Sequence, residues 1–105
     1  MKSVSHFTAL LTFVSSEKGG LSTPASSGYR PFIKFPFTKN LVTGIQKFTG
    51  TDLVFPGDTV SVEITLTDVS GFAGKLYEGL DFEFFEADRL IGYGVVTGLN
   101  GIAFA

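Results

Sequence analysis

Hydrophobic and polar residues alternate with a period of two along most of this chain, and nowhere is the 3.6-residue period of a helix sustained. Phe7, Ala9, Leu11 and Phe13 alternate with Thr8, Leu10, Thr12 and Val14, which predicts a first strand whose second face is half apolar too. Tyr29–Phe35 reads as a second strand in which Pro31 leaves one edge unpaired, and Leu41–Phe48 as a third, where Gly44 suggests a bulge or tight bend. Pro56-Gly57-Asp58 is a strong turn signal ahead of the cleanest strand, in which Val60, Val62, Ile64 and Leu66 oppose Ser61, Glu63 and Thr65. Leu80, Phe82 and Phe84 alternate with Asp81, Glu83 and Phe85 in a fifth strand. Ala87-Asp88-Arg89 turns it into a sixth, Leu90–Leu99, which Gly92 and Gly94 keep bare and flexible. Asn100–Ala105 is expected to frame an edge or pack on it.

Two long segments interrupt the alternation. Gly19–Pro31 holds three glycines, two prolines and four Ser/Thr in thirteen residues, which sustain neither helix nor ladder. An ordered loop of that length between strands is a surface that other molecules touch. Asp68–Gly79 is a second long loop. Six strands without a helix predict an all-β domain, a small antiparallel barrel or sandwich, and the glycines within strands favour the six-stranded barrel.

Composition sharpens this picture in three ways. At 105 residues the chain is one domain, large enough to need no disulfide or metal, and it has no cysteine. A net charge of −2 supplies no global field for phosphates, so nucleic acid would have to be held by a local patch. Only 17% of residues are charged, below the usual ~25%, while twelve are phenylalanine. Part of the apolar excess is therefore expected outside the core, on a partner or self-association surface. Ala9–Val14 is too short to span a bilayer, and although it follows Met1-Lys2 like a signal h-region, no small-x-small cleavage site comes after it and its alternation fits a strand, so the expectation is a cytoplasmic protein without a membrane segment.

Candidate chemistry is sparse. Gly71, Gly74 and Lys75 suggest a phosphate loop, but Val69 and Leu76 stand where glycine and Ser/Thr are needed, and no helix follows. Gly92-x-Gly94 lies within a strand, not at a strand-to-helix turn. His6 is the only histidine and reads as a strand-end residue. Glu78, Asp81, Glu83, Glu86 and Asp88 form an acidic run in which Asp81 and Glu83 share a face; a solvated outer face accounts for it, with divalent-cation binding as the alternative. No metal and no cofactor are expected. Lys18, Arg30 and Arg89 are the candidates for an anion or acidic partner, although Arg30 also suits hydrogen bonding to loop carbonyls beneath Tyr29.

The punctuation of the strands resembles the third, C-terminal β-barrel domain of elongation factor Tu over residues 6–99. The motifs that carry the resemblance are Glu17-Lys18-Gly19-Gly20, Thr23-Pro24, Gly28-Tyr29-Arg30-Pro31, Val42-Thr43-Gly44, Pro56-Gly57-Asp58, Gly79-Leu80 and Gly92-x-Gly94-Val95-Val96. In that family the domain follows a GTPase domain and a second barrel, whereas here Met1 opens on the barrel, so no GTP chemistry is expected. The family's domain also grips the T stem of aminoacyl-tRNA. At the corresponding positions its arginine is Leu21, its histidine Ser22, its glutamine Phe32 and its lysine Asp68, and its hairpin glycines are Ala87-Asp88. Thr43 and Glu86 resemble polar T-stem contacts and Arg89 persists. Lost cations weaken phosphate binding.

The resemblance thus implies a non-enzymatic barrel acting through protein contacts or self-association, with Leu10, Val14, Phe37, Phe55, Phe85 and Tyr93 as apolar positions left over for a partner surface. The alternative is a residual tRNA- or RNA-binding module using Lys18, Arg30, Thr43, Glu86 and Arg89.

Overall fold

A computed structural model describes residues 5–69, 71–72 and 74–100; Met1-Lys2 and the whole tail after Asn100, on which expectations were placed above, lie outside them. Among the described residues there are eight strands: β1 Phe7–Phe13, β2 Ala25–Ser26, β3 Phe32–Lys34, β4 Val42–Phe48, β5 Leu53–Val54, β6 Thr59–Leu66, β7 Asp81–Glu86 and β8 Arg89–Leu99. Six of them close into an antiparallel barrel in the order β1-β6-β4-β3-β7-β8. The remaining two, β2 and β5, pair as a separate ribbon, Ala25 opposite Val54 and Ser26 opposite Leu53. Among the described residues no helix is long and apolar enough to cross a membrane.

Alternation builds the barrel as predicted for β1 and β6, whose inward residues Phe7, Ala9, Leu11, Phe13, Val60, Val62, Ile64 and Leu66 are all buried. The second strand is shorter than the pattern suggests. Only Phe32–Lys34 joins the ladder, because Pro31 has no N–H to donate and offers its carbonyl to the Gly44 N–H at 3.0 Å instead. Tyr29 meets β4 in a lone bridge to Gln46.

The interior is filled by phenylalanine rings packed edge-on, the arrangement their quadrupoles favour. Phe7 meets Phe35 and Phe82 with centroids 6.1 and 5.8 Å apart. Phe13 meets Phe48 at 6.1 Å and Phe84 at 5.1 Å. The segment after β6, expected to be a loop, contributes Phe72 and Leu76 to the core. Phe72 stands edge-on to Phe35 at 5.4 Å and to Phe37 at 5.2 Å, while Phe37 stacks on Phe35 at 5.4 Å, so Phe37 is half-buried against the core and not free on the wall.

The glycines within strands serve close packing. Gly44 keeps regular register opposite Leu66, so no bulge lies there; a side chain at Gly44 would run into Ile33. The register shifts fall between Thr8 and Ala9 and between Phe84 and Phe85. Gly92 and Gly94 face Phe84 and Phe82 across the ladder, and each leaves the space its phenyl ring occupies.

Glu86 pairs with Arg89 across a two-residue turn, and Ala87 has φ 55° there while Asp88 stays negative. Positive φ at the first central position alone is the signature of a turn that takes glycine. Ala87→Gly is therefore expected to stabilise the protein by about 0.5–1 kcal/mol, strain relief outweighing the extra unfolded-state entropy. The denaturation midpoint reports it, and an unchanged or lowered midpoint contradicts it.

Candidate functional site

Cross-strand register shows what the barrel presents to its surroundings. Three rows cross the outer face of β3, β7, β8 and β1. Phe32 lies beside Phe85 and Phe85 beside Leu90; Lys34 lies beside Glu83, Glu83 beside Tyr93 and Tyr93 beside Thr12; Asp81 lies beside Val95 and Val95 beside Leu10. Leu10 is 41% exposed, Phe32 42% and Tyr93 50%. The outer face of β6 and β4 differs: Glu63 lies beside Lys47 and Thr65 beside Ile45, with the Ser61 carbonyl accepting from the Thr49 N–H at 2.9 Å. One half of the wall is thus apolar and aromatic with a few charges, and the other is polar.

Of the apolar positions expected outside, Leu10, Phe55 and Tyr93 are exposed, whereas Val14, Phe37 and Phe85 are half-buried. Phe32, Leu41, Leu53 and Tyr77 are exposed as well and were not anticipated. Phe32 escaped because it was assigned to a face only within its own strand; its neighbour Phe85 comes from far along the chain.

A trench of about 540 Å³ runs over the middle of the apolar half, between Lys34 and Pro36 on one side and Tyr93 on the other, with Asp81 and Glu83 between them. Asp81 and Glu83 share the outer face of β7, as the alternation implies. Among the described residues no group of three or more His, Asp or Glu side chains could hold a metal ion.

The residues expected of a residual RNA-binding module, Lys18, Arg30, Thr43, Glu86 and Arg89, are divided among separate places. Glu86 and Arg89 come together in a second groove, about 440 Å³, whose other wall is the segment Leu21–Tyr29. The Tyr29 hydroxyl donates to Glu86 Oε2 at 2.9 Å. Burial, then the hydrogen bond and the charge of Glu86, push the Tyr29 hydroxyl well above its ordinary pKa, so it stays protonated and holds the carboxylate. Sequence offered no sign of this pairing, since the two residues are distant in the chain. Thr43 lines a third groove with Thr38, Asn40, Thr67 and Asp68. Lys18 sits in a single 3-10 turn, Ser16–Lys18, and is exposed. Arg30 is exposed too, and among the described residues no loop carbonyl accepts from its guanidinium.

His6 is part of the framework. Its Nδ1 accepts the Leu66 N–H at 2.8 Å, and its own N–H and C=O bond Ile64 O at 2.8 Å and Asn100 N at 3.1 Å. Asn100 Nδ2 in turn donates to Ser5 O at 2.6 Å, so this residue ties the end of β8 to the start of β1. Burial lowers the His6 pKa, in keeping with an imidazole nitrogen that must remain unprotonated to accept.

Fold and surface together define a six-stranded β-barrel with one apolar outer half and two charged grooves. The chain matches no model of a known protein family.

Proposed function

We propose that this protein is a non-catalytic β-barrel interaction module of the cytoplasm, related to the third domain of elongation factor Tu, which works by protein contact or self-association through the outer face of β3, β7, β8 and β1. The observation that carries this reading is the asymmetry of the wall. Among the ring strands the exposed large apolar side chains, Leu10, Phe32, Tyr93 and Leu99, all belong to β1, β3 and β8, whereas Leu41, Leu53, Phe55 and Tyr77 are exposed on segments outside the ring; apolar side chains grouped on one part of a barrel wall suit a covered surface. Sedimentation velocity between about 10 μM and about 1 mM tests it: the protein is expected to associate reversibly, and Phe32→Ser with Tyr93→Ser to abolish the effect. Monomeric behaviour throughout, together with no partner in cross-linking, rejects the reading.

A second reading, a residual tRNA- or RNA-binding module, draws on Arg89 and Glu86 sharing one groove with the Leu21–Tyr29 segment. Phosphate contacts are strongest at low ionic strength, so a salt-sensitive mobility shift with tRNA supports it and no shift at low salt removes it. The groove holds one cation beside a carboxylate, which favours the first reading.

A further inference from the structure

We infer that the trench over β7 is a docking site for a short chain segment that presents an arginine or lysine next to an apolar side chain. This rests on the reading of the protein as an interaction module and names the chemistry of the contact.

Three observations converge on that occupant. The first is charge. Asp81 and Glu83 lie two residues apart on one face of β7, and among the described residues Lys34 is the one cation lining the trench. Neither carboxylate has a hydrogen bond or ion pair among the described residues, so both remain available to a cation that an occupant brings. Among the described residues no third metal-ligating side chain joins the pair, and an organic cation is the group that two carboxylates beside an aromatic ring complement.

The second is the apolar frame. Tyr93 lies directly across from Glu83 in the ladder, and Pro36 stands on the opposite rim. A guanidinium that pairs with Glu83 comes within reach of the Tyr93 ring, and aromatic stacking and carboxylate pairing reinforce each other for arginine. An apolar neighbour of that cation meets Pro36 or the ring.

The third is size. Strands lie about 4.8 Å apart, so the rims on β3 and β8 stand about 10 Å from each other, wide enough for one extended chain. Along β7 the trench covers a few residues, a footprint far below the about 800 Å² per partner that a stable dimer covers. The volume suits one or two side chains and their backbone. The trench itself takes a segment of chain, while association of whole barrels uses the wider face around it, Leu10 and Phe32 included.

The test is a titration of the full-length, ¹⁵N-labelled protein with the acetylated, amidated peptide Gly-Phe-Arg-Phe-Gly, alongside the same peptide with glutamate for arginine. Amide shifts are expected on Lys34, Asp81, Glu83, Tyr93 and Gly94. Affinity is expected to fall about tenfold in the Asp81→Asn, Glu83→Gln double variant and to weaken with salt. Both substitutions are close in shape to the originals and lie on the outer face, and an otherwise unchanged amide spectrum confirms the fold. No shifts at about 5 mM arginine peptide, equal shifts with the glutamate peptide, or undiminished affinity in the double variant each overturn the inference. Peptide failure combined with the concentration-dependent sedimentation described above rejects the trench alone; failure of both rejects the interaction module as well.

Discussion

Gly92→Ala is expected to cost the barrel about 3 kcal/mol, which for a domain of this size lowers Tm by roughly 15 °C. A Cβ on Gly92 would lie 2.6 Å from Phe84 Cε1 and 2.7 Å from the carbonyl oxygen of Thr12. The oxygen belongs to the backbone of the adjoining strand β1 and has no rotamer to adopt. The ring cannot retreat either, since Phe84 is fully buried and held edge-on to Phe13 at 5.1 Å. Relief has to come from displacing β8 from β7 or β1. Denaturant titration should show a lower midpoint at constant slope. Shrinking the ring offers a check, because Gly92→Ala together with Phe84→Leu should cost less than the sum of the two single changes. Additive costs would mean that the glycine and the ring are not partners. Gly94→Ala should follow the same course through Phe82 and Leu11, whose Cδ2 would lie 2.8 Å from the new methyl.

Gln46→Met is expected to act in the opposite direction, raising stability by about 1–2 kcal/mol. Gln46 lies on the inward face of β4 between Gly44 and Phe48, opposite Ile64, and is fully buried. Its backbone is well used: the N–H donates to Tyr29 O at 2.8 Å and the carbonyl accepts from Gly28 N at 2.6 Å. Its side chain is not. Neither Nε2 nor Oε1 meets a protein partner among the described residues. An amide stripped of its hydration without replacement bonds is a standing cost, and methionine fills nearly the same volume with no polar atom. A rise in the denaturation midpoint confirms it. A fall would show that the amide is satisfied by bound water, and that water would then be part of the core.

How much of this was legible in the sequence depends on the length of the signal. The strict alternation from Val60 to Leu66 fixed both the existence and the inward face of β6, and the same holds for β1. The ribbon of Ala25–Ser26 with Leu53–Val54 was invisible, since two-residue strands carry no periodicity and their pairing joins distant parts of the chain. Gly92 and Gly94 were recognisable as glycines within a strand, but their purpose, to admit Phe84 and Phe82, follows only from register. The shared face of Asp81 and Glu83 could be read directly, because a period of two decides it. Their enclosure by Pro36 and Tyr93 could not, because three strands have to be assembled first. Glu86 and Arg89 were singled out separately, and the hairpin sets them side by side, whereas Thr43, Lys18 and Arg30 lie elsewhere.

The closed ring of strands has a consequence for evolution. A visitor cannot extend the ring itself, because every strand of it already has two neighbours and the β2-β5 ribbon stands apart from it. Recognition is thereby delegated to side chains that stand on the outside and contribute little to the phenylalanine interior. Substitutions such as those at Tyr93, Lys34 or Glu83 can redirect the protein to new associates while the scaffold beneath stays intact.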